Sequence, residues 1–226
     1  PTMQWKAQNR GAAWVVGDSL NASIGQGFVL SSPLHLAVMT ARLATGRAIV
    51  PTLIRSIDGF SQLPDQAADI GIDAGHLQLV QRGMWQVNND RRGTAYGSRV
   101  EVADYAIAGK TGTSQVRNIT AAERASGVIS NADLPWERRD HALYVGYAPY
   151  DNPRYACSVI VEHGGGGSAV AAPIARDILL RAQLGEVPPP TLYPANQRRD
   201  IERLHRELPI LRTPPTPTGR TVRSQA

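Results

Sequence analysis

Apolar positions along the chain change their period several times. In "SSPLHLAVMTARLATG", residues 31–46, they recur every three to four positions, so Leu34, Ala37, Val38 and Ala41 share one helical face. Ser32 suits the N-cap, Pro33 the first turn and Gly46 the C-terminal stop. A second helical period covers about 73–88, with Asp73 as cap and Leu77, Val80, Met84 and Val87 inward. A third follows "GGGG" and points Ala171, Ile174, Ile178 and Leu179 inward, with Pro173 confined to its first turn. Between these runs the pattern is extended. "YAIA" (105–108) reads as a short strand, and "HALYVGYA" and "RYACSVIVEH" as two longer ones. "PYDNP" between them has turn chemistry, which predicts an antiparallel hairpin. "RAIVPTLIRSI" also looks extended, whereas the first 30 residues read as Gly-rich and irregular. The expected class is α+β, an antiparallel sheet flanked by helices.

The composition shifts near residue 185. "EVPPPTLYP" and "LRTPPTPTGR" are Pro-rich and carry no apolar period, with at most a short helix in "NQRRDIERLHREL" between them. This divides the chain into a packed unit, 1–184, and a mostly mobile tail, 185–226, expected to add little to the core. The hydrophobic fraction of 42% over 226 residues suits one core. The net charge of +5 comes from dispersed arginines without interleaved aromatics, so nucleic acid is not an expected partner. Cys157 is the single cysteine and sits in an apolar run, which excludes an internal disulfide and suggests a small core residue. No stretch reaches the length of a membrane span, and no signal peptide is visible.

Charge type is more informative than net charge. Only Lys6 and Lys110 are lysines, against 24 basic residues in all. Arginine stays protonated, whereas lysine can exchange a proton or act as a compact cation. Lys110 stands in "AGKTGTSQV". A phosphate-binding loop would need glycine at 104, where this chain has Asp104. The other lysine motif is K-T-G, used with S-x-x-K and S-x-N in serine acyl-transfer enzymes. There the lysine offers a cation to a groove beside a strand. Gly112 would remove a side chain that blocks close approach, and the hydroxyls of Thr111 and Thr113 would bind a carboxylate. A strand N–H can point at a developing oxyanion.

The surrounding segments extend the resemblance. "GDSLNASIGQGFVLSSPLHLA" is similar to a stretch of penicillin-binding transpeptidases, matching at Gly17, Asp18, Ile24, Gly25, Gln26, Gly27, Pro33, Leu34, Leu36 and Ala37. "PTMQWK", the 139–167 stretch and the helix after it also resemble the class B group concerned with cell elongation, penicillin-binding protein 2. The resemblance covers about 1–184 in order. It implies the C-terminal portion of the serine β-lactamase/D,D-peptidase-like fold, with the K-T-G strand edging the active-site groove of a five-stranded sheet. It also implies a D,D-transpeptidase that cross-links peptidoglycan stem peptides by serine acyl transfer and is acylated by β-lactams. Lys110 would be the groove cation, Thr111 and Thr113 the carboxylate ligands, Gly112 the point of close approach, and the Thr113 N–H half of the oxyanion hole. The expected setting is the periplasmic face of the bacterial inner membrane, with the cell-wall elongation machinery as partner. No metal or other cofactor is implied.

One element of the pattern is absent. At S-x-x-K spacing the two lysines follow Met3 and Ile107, so no S-x-x-K exists in these 226 residues. Ser19-Leu20-Asn21 matches S-x-N formally, but it falls in the wrong segment and reads as local loop chemistry. The expectation is therefore a chain that begins inside the transpeptidase domain, without nucleophile or membrane anchor, and is inactive alone. The alternatives are a serine β-lactamase or D,D-carboxypeptidase, which share K-T-G, and a non-catalytic peptide-binding module. Asp18, Glu101 and His163 are further candidates to face the groove, and "GGGG" at 164–167 reads as a flexible connector.

Overall fold

The computed structural model describes residues 1–54, 56–62, 67–117 and 119–208. Its central element is an antiparallel sheet of β3 (Ala108–Ser114), β4 (His141–Ala148) and β5 (Tyr155–Val161), in the order β3-β4-β5. The register pairs Lys110 with Val145, Gly112 with Leu143 and Ser114 with His141. β4 and β5 form the expected hairpin, pairing Ala148 with Tyr155 next to the 149–153 turn. A ribbon of β1 (Ser56–Ile57) and β2 (Phe60–Ser61) lies apart from this sheet. The third strand does not cover "YAIA": Tyr105 sits in a 3-10 turn, and the strand begins at Ala108, so K-T-G lies inside it.

Helices cover both faces, as the pleat requires. Ala142 and Tyr144 pack with Ala171, Ala172 and Ala175, and Ala148 with Leu179 and Leu180, all from or next to α6 (Ala172–Leu184). Tyr147, of the opposite parity, packs with Ala44 of α3 (Pro33–Thr45) and Met84 of α4 (Ala74–Asn89). The caps are the expected ones. The Ser32 hydroxyl accepts from the His35 N–H, the Asp73 carboxylate from Gly75 and His76, and Gly46 closes α3 at φ +68°.

Of the four residues expected inward at α6, Ala171 and Leu179 are buried and Ile174 and Ile178 are not. Ala172, Ala175, Arg176, Leu179 and Leu180 are buried, while Ile174 and Ile178 are exposed. A π-helical turn, Gly167–Ala171, precedes the helix. Alanines then let the helix approach the sheet closely. Leu34 and Val80 are likewise exposed; Met84 is buried as expected, and α3 and α4 also bury Thr40, Ala44 and Asn88. The first 30 residues are not irregular: they form α1 (Met3–Arg10) and α2 (Val16–Ser23). Between β3 and β4 lies the short α5 (Ala121–Ser126), held by a two-pronged Arg117–Glu123 ion pair at 2.6 and 2.7 Å.

The region beyond 185 departs most from expectation. Leu192, Tyr193 and Ile201, the last in α7 (Arg198–Glu207), belong to the same core cluster as Ile107 and Leu179. The Arg176 guanidinium is buried over the Tyr193 ring at 4.5 Å and donates to Gln197 Oε1 at 2.7 Å. Prolines break helical and strand periods without preventing burial, so the loss of period did not mean loss of packing. The remainder of that segment, 209–226, lies outside the described residues. Cys157 packs between two core clusters, and burial pushes its thiol up to about 11.

Candidate active site

Among the described residues β3 pairs only with β4, and its other edge borders a cleft of about 910 Å³. Lys110, Thr111, Gly112, Thr113 and Ser114 line one wall of it. Leu36 and Met39 of α3, with Leu143 and Ile160 of the sheet, supply an apolar wall. All four residues singled out from K-T-G-T are thus on one surface. Lys110 is exposed, and its ammonium donates to the Thr111 carbonyl at 2.7 Å.

Strand geometry fixes where the backbone points. The Thr113 carbonyl accepts from the Gln26 side-chain amide at 3.2 Å and so faces away from β4. In a strand, the N–H and C=O of one residue point to the same side. The Thr113 N–H is therefore also directed at the cleft. Parity sets the side chains: Lys110, Gly112 and Ser114 share a sheet face with Val145, Leu143 and His141.

The glycines do more than connect. Gly166 and Gly167 line the cleft, and a Cβ at 167 would collide with the carbonyl oxygens of Leu143 and Gly112. The chain crosses the K-T-G strand so closely that only glycine fits. Gly164 and Gly165 donate to Val161 and Asp140 at 3.1 and 2.8 Å. The "GGGG" run is thus a close-packed crossing, not a flexible link.

Other candidates resolve differently. Asp18 does not face the groove. Its carboxylate receives the Lys6 ammonium at 2.5 Å and the Val15 N–H at 2.8 Å, which hold its pKa below the usual carboxylate value. The two lysines therefore divide into one buried in an ion pair and one exposed at the cleft. Glu101 pairs with Arg99 at 2.7 Å. Ser19 and Asn21 lie in α2, with the Ser19 hydroxyl accepting from Trp14 Nε1. His163 is half-buried: its N–H donates to His141 Nδ1 at 2.9 Å, and its ring packs on Trp136.

Sequence reasoning missed three groups. Gln26 was matched only as part of a pattern, and His141 only as part of a strand. Thr94, in a loop, brings its hydroxyl 2.9 Å from that of Thr111. No periodicity or local motif signals contacts made across 17 or 87 positions. Among the described residues, no group of His, Cys, Asp and Glu is placed to hold a metal ion.

Residues 3–180 match the family model of the penicillin-binding protein transpeptidase domain. The chain belongs to that family. Within it, the similarity is to the penicillin-binding protein 2, or MrdA, type. The peptidoglycan D,D-transpeptidase MrdA of Haemophilus influenzae is 34% identical over 210 residues, covering 89% of this chain and 31% of the relative. That of Escherichia coli K12 is 36% identical over 194 residues, covering 82% and 29%. Among solved structures, Pseudomonas aeruginosa PBP2 in complex with WCK 5153 superposes with a TM-score of 0.65 at 39% identity, covering 82% of this chain and 38% of that one. PBP2 of Helicobacter pylori, in complex with MreC, gives 0.63 at 31% identity, covering 82% and 31%. The chain thus spans about a third of the length of the curated relatives it matches.

Proposed function

We propose that this chain forms the K-T-G half of the active site of a peptidoglycan D,D-transpeptidase, which cross-links stem peptides by serine acyl transfer. The observation that carries the reading is the cleft-facing edge of β3, where Lys110, Thr111, Gly112 and the Thr113 N–H line one wall. Lys110 supplies the cation that attracts an anionic peptide and assists proton transfer. The hydroxyls of Thr111 and Thr113 bind the terminal carboxylate. Gly112 leaves the strand edge open, and the Thr113 N–H donates to the oxyanion that forms as the serine attacks the scissile carbonyl. The serine is supplied from outside these 226 residues, since no S-x-x-K occurs within them. β-Lactams would acylate that same serine.

The relatives support the setting. Their names specify peptidoglycan D,D-transpeptidase activity, and one solved relative is a complex with MreC. We extend to this protein a place in the cell-wall elongation machinery, at the periplasmic face of the inner membrane. Among the described residues, no helix is long and apolar enough to cross a membrane.

The test is labelling with a fluorescent penicillin. A polypeptide joining an S-x-x-K serine segment of this protein to the present chain should be labelled, and its Lys110→Ala variant should not. The chain alone should form no adduct by intact mass. A stable adduct on a serine of the chain alone, or undiminished labelling of the Lys110 variant, would overturn the reading.

A further inference from the structure

Thr94 lies outside every motif discussed above, yet its hydroxyl meets that of Thr111 at 2.9 Å. It borders the main cleft and also a second recess of about 390 Å³ shared with Lys110. Its place is fixed from both sides. Before it, the Gly93 N–H donates to the Asp90 carbonyl at 2.8 Å, and a Cβ at 93 would collide with the Gln86 and Val87 carbonyls. After it, the Ala95 N–H donates to Val87 at 2.9 Å, and Ala95 is buried. Further on, the Gly97 carbonyl accepts from Gln197 Nε2 at 2.6 Å, and Gln197 is itself held by the buried Arg176. The turn that carries Thr94 is pinned to α4 at one end and to the C-terminal segment at the other.

We infer that Thr94 is a positioning residue that sets the direction in which Thr111 donates its hydroxyl proton, and through it selects ligands bearing a carboxylate. This rests on the proposed reading of K-T-G as a carboxylate site. Each hydroxyl has one proton and two lone pairs. When Thr94 donates to Thr111 Oγ1, the Thr111 proton is left for a ligand. With an apolar side chain at 94, the Thr111 hydroxyl loses that partner and turns to water or the backbone. A ligand seated on Thr111 also covers the pair and excludes competing water, which strengthens the bond.

The test uses the serine-bearing enzyme and two probes, benzylpenicillin and its carboxylate methyl ester. The readout is the ratio of their acylation rates. In Thr94→Val this ratio should fall about two- to tenfold, the range of one hydrogen bond, while Thr94→Ser should restore it. In a Thr111→Val background, Thr94→Val should have no further effect on the ratio. Thr94→Ala serves the same comparison if the valine variant does not fold. An unchanged ratio, an equal fall with both probes, or an undiminished effect in the Thr111→Val background overturns the inference and leaves the site reading intact. Failure of the wild type to be acylated by benzylpenicillin overturns the site reading and this inference with it.

Discussion

The side-chain amide of Gln26 donates to the main-chain carbonyl of Thr113 at 3.2 Å, joining the I-G-Q-G turn to the free edge of the K-T-G strand. With Lys110 on the Thr111 carbonyl at 2.7 Å, the Thr111 and Thr113 carbonyls are each held by a side chain of the protein itself. An unpaired strand edge otherwise invites any extended peptide. Gln26→Leu should leave the Thr113 carbonyl to water and lower stability by roughly 0.5–1.5 kcal/mol in a denaturant titration. Native-state hydrogen exchange at residues 24–27 should quicken with it. Unchanged exchange there would show that the bond does not restrain the turn.

Gly167 and Gly166 make a matched pair for testing the crossing over β3. Gly167→Ala places a methyl against the Leu143 and Gly112 carbonyls, whereas a Cβ at 166 meets nothing within 4 Å. The first change should cost about 1–3 kcal/mol, as for overpacking, and the second should be near neutral. Amide shifts at Gly112 and Leu143 should move in Gly167→Ala only. Equal stability of both variants would contradict the close crossing.

The Lys6–Asp18 pair leads to a pH dependence. The Lys6 hydrogen bond, then that from Val15, lowers the folded Asp18 pKa below its ordinary 3.8. A depressed folded pKa stabilises above the unfolded pKa, and that contribution is lost as pH falls through the folded value. The stability difference between wild type and Asp18→Asn should be full at neutral pH and shrink below about 3.8. Chemical denaturation across pH 2–7 reads it, and a difference that persists unchanged at the acid end would place its origin elsewhere.

How far the sequence was legible can be judged from particular elements. Helix caps at Ser32, Asp73 and Gly46 were readable because capping is local. The hairpin was readable because its turn chemistry lies between two strand periods. The inward face of α6 was half legible: Ala171 and Leu179 are buried, but small Ala172 and Ala175 and the charged Arg176 hold the sheet side where the larger Ile174 and Ile178 were expected. The Thr94–Thr111 and Gln26–Thr113 contacts were invisible because they join segments that only the tertiary fold brings together. The burial of Leu192 and Tyr193 was missed because proline density was equated with exposure.

That last point has a direct measurement. Leu192 is 5% exposed in a cluster with Ile107 and Leu179, beneath the start of the K-T-G strand. Leu192→Ala should cost about 2–5 kcal/mol, the range for emptying a core site. A cost under about 0.5 kcal/mol, typical of a surface change, would restore the picture of an undocked segment.

Thr113 offers two functions on one residue, and two substitutions separate them in the serine-bearing enzyme. Thr113→Ala removes the hydroxyl and keeps the N–H that faces the cleft. A hydrogen bond to a charged group is worth roughly 1.5–3 kcal/mol, so the loss should appear mainly as weaker selection for carboxylate-bearing substrates. Thr113→Pro removes the N–H itself. Loss of an oxyanion donor raises the acylation barrier by about 2.7–4 kcal/mol, and proline also disturbs the strand edge. Acylation should therefore fall further for proline than for alanine, with folding checked by circular dichroism. Because Gln26 binds the carbonyl of the same residue, Gln26→Leu should leave the alanine effect in place, since the hydroxyl and the carbonyl are separate contacts. Equal acylation of wild type and both Thr113 variants, all folded, would remove β3 from the reacting centre and with it the role assigned to Lys110.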